Sequence, residues 1–181
     1  MAETPAASEL RNPDLLAIYC NDHLAASTGG IELVGRMLGA HRGTEYQAPL
    51  EQLLSELREE KAALRSMMAT LGISVRQYKQ LGSWVAEKLT RAKLNGRLTS
   101  RSPLSSVVEF EFLASGVRAK RSGFETLRIA AEVEPRLPKV ELDRLIDQAH
   151  NQYEWLTRTR RKVSAAVFGG RPEAADRTPD A

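Results

Sequence analysis

One run of spacing constrains this chain more than any other: Leu50, Leu53, Leu57, Glu60, Leu64, Met67 and Leu71. The intervals alternate between three and four residues, which places all these side chains on one stripe of an α-helix. The stripe is apolar except at Glu60, so the helix must bury it against other helices. Glu60 adds a second demand. A carboxylate in a leucine seam needs a donor, because an unpaired charge in an apolar interior is very costly. The rest of the chain must therefore supply apolar partner stripes and a polar partner at the level of Glu60.

The partner stripes are present. Asn12-Pro13 predicts a helix start, with Asn as N-cap, Pro in the first turn and Asp14 favourable to the helix dipole. A helix over 13–41 carries Leu16, Tyr19, His23, Ala26 or Ser27, Ile31, Val34 and Leu38, and His41-Arg42-Gly43-Thr44 ends it. The leucine seam lies on a helix over 46–71, closed by Gly72. Ser74 opens an amphipathic segment over 74–95, with Val75, Tyr78, Leu81, Trp84, Val85, Leu89 and Leu94. Pro103 opens a long helix over 103–132, with Val107, Phe110, Leu113 or Ala114, Val117, Lys120 or Arg121, Phe124, Leu127 and Ala131. After Pro135 and Pro138, a last helix over 137–167 carries Leu142, Leu145 or Ile146, Ala149, Tyr153, Leu156, Val163 and Val167. Residues 1–12 read as a disordered leader and 169–181 as a disordered tail, leaving 13–168 as one helical-bundle domain.

The first helix holds an unusual stretch, Tyr19 to Gly30. Asp22, His23, Gly29 and Gly30 sit inside an apolar pattern. Its small residues, Ala25 to Gly30, predict close approach of a neighbouring helix or a local kink. A ligand slot opened by the missing side chains is the sharper alternative.

Several classes are excluded. The single cysteine, Cys20, allows no internal disulfide and no cysteine-based zinc site. No apolar run approaches the roughly 20 residues of a membrane span. The start of the chain has neither the basic residues nor the apolar core of a signal peptide, so a cytoplasmic protein is expected. Phosphate loops, nucleophile elbows and dinucleotide fingerprints are absent. A net charge of +3 is too small to argue for nucleic acid by itself.

The element order is two long helices, a connector with its own helix, and two more long helices. In length, spacing and connector placement the chain resembles the ferritin-like superfamily over about residues 13–167. The resemblance implies an all-α, ferritin-like four-helix bundle with an additional connector helix between the second and third long helices. The second and third long helices would then run parallel. A simple up-down bundle is the other topology.

The resemblance also implies a place to look for iron or manganese. Ferritin-like di-metal proteins carry a Glu on each of two helices and a Glu-x-x-His on each of the other two. Here Asp147-Gln-Ala-His150 is similar to the second motif, and Glu56, Glu59, Glu60, Glu109, Glu111, Asp22 and His23 are the other candidates. Counting from the loops puts His23 and Glu60 about four residues apart in level, or roughly 6 Å. It puts His150 and Glu109 about nine residues apart, or roughly 13 Å. Val117 and Arg118 stand opposite His150 instead, and the core-facing residues nearby are the cations Lys120 and Arg121. A complete di-metal set is therefore not expected, and no cofactor is predicted. The expectation is a buried polar network of His23, Glu60, Lys120 and Arg121, with His23 the first partner of Glu60.

Basic runs at Arg118 to Arg121, Thr157 to Lys162, and Arg91, Lys93, Arg97 and Arg101 read as solvated helix surface. The functional expectation is a non-catalytic bundle acting by protein–protein or self-association, with Trp84 and Val85 as its contact. A metal-dependent oxidase or iron-handling protein is the first alternative. A binder of nucleic acid or anionic lipid is the second.

Overall fold

The computed structural model describes residues 10–76 and 102–169. They form four α-helices: α1 (Pro13–Ala40), α2 (Gln47–Thr70), α3 (Pro103–Ala130) and α4 (Lys139–Phe168). The ends of the four long helices fall within two residues of the sequence expectation. The expected connector helix at 74–95, Trp84, Val85 and the Arg91-to-Arg101 cluster lie outside the described residues, apart from the segment's first positions. So do most of the leader and the tail.

Local chemistry explains the ends. Ser102 caps α3 by accepting a hydrogen bond from the Leu104 backbone N–H at 3.3 Å, and Pro103 follows it. Asn12 stands at the N-cap of α1 but makes no capping bond with its side chain. At the end of α2, Gly72 has φ +74°, the left-handed region that a glycine adopts without steric cost. The Ile73 N–H then donates to the Met68 carbonyl at 2.8 Å and the Gly72 N–H to Ala69 at 3.0 Å. This is the Schellman arrangement. Between α3 and α4 the fully buried Glu134 accepts from the Arg136 guanidinium at 2.7 and 2.8 Å, which fixes the turn between Pro135 and Pro138.

Cross-links give the helix directions. Tyr19 meets Thr126, His23 meets Gly123 and His41 meets Phe110, so α1 and α3 are antiparallel. Glu45 meets Lys162, Glu56 meets Gln152 and Glu60 meets Gln148, so α2 and α4 are antiparallel. Tyr46 lies against Phe110 and Glu60 against Lys120, so α2 and α3 are parallel. A simple up-down succession would make that last pair antiparallel. The end of α2 and the start of α3 therefore lie at opposite ends of the bundle. Just after α2 the chain is tied to α1 by Asn21. Its buried amide donates to the carbonyls of Ala17 and Ser74, and its oxygen accepts from the Arg76 N–H at 2.7 Å.

The core forms two apolar clusters. One gathers Val34, Met37, Leu50, Leu53, Phe110, Leu113, Val117, Leu156 and Val163. The other gathers Cys20, Leu24, Leu64, Met67, Phe124, Leu127, Leu142 and Leu145. On α2, Glu60 falls between Leu57 of the first cluster and Leu64 of the second.

The stripe on α1 differs from expectation. Cys20, Leu24, Leu33, Val34 and Met37 are buried, whereas Leu16, Tyr19, His23, Ile31 and Leu38 are half-buried and Ala26 is exposed. Because α1 lies against both α2 and α3, its buried face is centred about one residue, or roughly 100°, from the flank that meets α3. The small-residue surface is divided: Gly29 is buried, whereas a Cβ on Gly30 would meet nothing within 4 Å. A close approach of α1 to α3 falls at Gly123, where a Cβ would come within 2.8 Å of the His23 ring.

Cys20 is 2% exposed, and burial pushes its thiol up to about 11. The thiolate is the reactive form, so the native thiol should resist disulfide reagents and alkylators at neutral pH. It should react in step with unfolding in urea. Fast labelling of the native protein would contradict this placement.

Candidate functional site

The level between the two clusters is polar. Glu60 is 2% exposed on α2, and Lys120 reaches it from α3 as a salt bridge. The ammonium also donates to the Gln152 side-chain oxygen on α4. The other Glu60 oxygen accepts from the amides of Gln148 and Gln152, both at 2.9 Å. Gln152 donates to Glu56 as well, at 2.7 Å, and Glu56 accepts from Gln52 at 2.8 Å. The seam carboxylate is thus satisfied by one cation and two carboxamides, as a buried charge requires. Burial drives the Lys120 pKa down, and the Glu60 carboxylate beside it opposes that shift.

Periodicity explains why these groups converge. Glu60 sits between Leu57 and Leu64, Lys120 between Val117 and Phe124, and Gln152 between Ala149 and Leu156. Each is one step in an alternating three-four seam, so each points inward. Gln148 and Gln152 lie one turn apart on α4, as do Glu56 and Glu60 on α2, so each pair presents two groups on one face.

The other expected members lie elsewhere. His23 makes no hydrogen bond to Glu60; its ring packs edge-on to Tyr19, with centroids 4.5 Å apart, over Gly123. The level count placed His23 at a suitable height, but it belongs to the flank of α1 that faces α3. Burial lowers its pKa, with Asp22 opposing. Arg121 is also absent from the network. It pairs with Glu125 at 3.0 Å and reaches the His150 Nδ1 at 3.4 Å, one position round the helix from the inward-facing Lys120. His150 and Asp147 are exposed on α4. Gln148 and Gln152 are the members that sequence reasoning missed. Thr159, buried on the same seam, was missed too.

The donor set suits an ammonium better than a di-metal centre. Lys120 places a positive charge against the buried carboxylate, and a fixed cation disfavours a divalent ion there. The α4 groups on Glu60 are neutral amides. Among the described residues, no three His, Cys, Asp or Glu side chains come together as metal ligands would. The basic run on α3 is divided, since Lys120 turns inward while Arg118 is exposed; on α4, Lys162 is paired with Glu45 at 2.6 Å. Among the described residues, no helix is long and apolar enough to cross a membrane.

A groove of about 590 Å³ lies between α2 and α4 beside the network. Leu53 and Glu56 line it from α2; Arg144, Asp147, Gln148, Asn151, Gln152 and Trp155 line it from α4.

No protein-family model matches the chain, and no curated protein does either. Among solved structures, the chain is similar to a crystal structure of a protein from Xanthomonas campestris pv. campestris. The TM-score is 0.65 at 15% identity, over 87% of this chain and 97% of that one. At that identity the likeness is one of fold alone.

Proposed function

We propose that this protein is a ferritin-like bundle in which Lys120 fills the central cation position, and that it acts by self-association rather than catalysis. The parallel run of α2 and α3, after a long connector, supports the ferritin-like reading. The observation that carries the association is an apolar end. Leu15, Ile18, Val75, Ile129, Val133 and Val140 are all exposed, and all lie at the end where α1 and α4 begin. Val140 is 84% and Ile129 73% exposed. Single apolar residues on a surface are ordinary, but several at one end of a bundle mark a contact region.

Light scattering on the full chain over a range of concentrations tests this. The mass should rise towards a dimer or higher oligomer, and Ile129→Ser with Val140→Ser should shift it back to the monomer. A monomer at every concentration would end the reading.

A further inference from the structure

The α2–α4 groove has a chemistry that the central network does not use. Its two cationic neighbours are already engaged. Lys120 is held by Glu60, and the Arg144 guanidinium is held by Glu141 at 2.7 and 2.9 Å and donates to Gln148. Two carboxylates remain on the groove wall. Glu56 accepts hydrogen bonds only from the neutral amides of Gln52 and Gln152, and the Lys120 ammonium, already bonded to Glu60, acts on it only at longer range. Asp147 has no hydrogen bond or ion pair with any described residue. Gln148 and Asn151 add carboxamides to the same wall, and Trp155 and Pro49 supply an apolar stretch. The α4 wall from Arg144 to Trp155 is about 16 Å long at 1.5 Å per residue.

An anion would meet Glu56 and Asp147 with no free cation to offset them. A divalent metal would lack a converging ligand set. We propose that the groove binds a linear aliphatic di- or polyamine. Its ammonium groups sit against Asp147 and Glu56, its N–H donors meet the carboxamide oxygens, and its methylene chain lies along Pro49 and Trp155. An ammonium near an indole gains a further cation–π attraction. The groove is a site of its own and does not depend on self-association.

Titration calorimetry on the full chain at physiological salt tests the proposal, with spermidine and putrescine as probes and magnesium chloride as the control for bare charge. Saturable one-to-one binding of spermidine is expected. Asp147→Asn should weaken it about tenfold, the loss of one charge-assisted bond. Glu56→Gln should do the same, and Glu154→Gln, an exposed carboxylate outside the groove, should leave it unchanged. Asp147 is exposed and bonded to no described residue, so its variant will fold even where Glu56→Gln does not. The proposal is overturned by the absence of saturable binding, by unchanged affinity in Asp147→Asn, or by magnesium competing as well as spermidine.

Discussion

Lys120→Met is expected to destabilise the bundle by about 3–5 kcal/mol, the cost of leaving a buried charge without its partner. Glu60 is 2% exposed, and with the ammonium gone it keeps only the two carboxamides. Urea denaturation followed by circular dichroism will read the loss as a lower midpoint at unchanged slope. The double variant Glu60→Leu with Lys120→Met should recover most of it, because a well-packed apolar pair can replace a buried ion pair at little cost or with a gain. The sign of this recovery identifies the mechanism. If the double variant were as unstable as Lys120→Met alone, the loss would come from the packing of the lysine stem and not from the stranded carboxylate.

Phe110→Ala should cost about 3–5 kcal/mol, as large-to-small changes of buried aromatics do. Phe110 is fully buried, and its ring lies 5.5 Å from His41, 5.7 Å from Tyr46 and 6.1 Å from Trp155. Those rings come from the end of α1, the start of α2 and the middle of α4. The cavity would therefore open where all four helices meet and could not collapse by moving one side chain. For a domain of this size the melting temperature should fall by about 10 °C. Phe168→Ala, at a 68% exposed site at the opposite end of the bundle from the proposed contact, should stay within about 0.5 kcal/mol of the parent. Similar losses in both variants would mean that Phe110 does not sit at the centre of the cluster it shares with Val34, Leu50 and Leu156.

The helices were legible because their end signals and stripes agree. Pro103 behind Ser102, Gly72 after Leu71, and the leucine seam each specify a local state, and packing does not override them. Glu60 stood out because it interrupts leucines at strict spacing. Lys120 was named among its partners for the same reason. Gln152 obeys the same rule in the run Leu142, Leu145, Ala149, Gln152, Leu156, Thr159, Val163, yet a search for apolar residues chose the neighbouring Tyr153. Keeping the spacing and ignoring the polarity would have found Gln152 and Thr159.

His23 shows a different limit. Counting residues from a loop fixes height along a helix but not the direction a side chain takes around it. Direction depends on which neighbours the helix packs against, and one residue of rotation carried His23 from α2 to Gly123 of α3. The groove was illegible for a related reason. Its width is set by the long polar side chains that bridge α2 and α4, which no single stripe encodes.

The most direct measurement is the iron and manganese content of untagged protein, before and after aerobic incubation with ferrous iron. With Lys120 as the cation at the bundle's centre, the metal should be far below stoichiometric and should not rise after loading. Stoichiometric iron or manganese that survives desalting would contradict that assignment and place a metal where the lysine has been put.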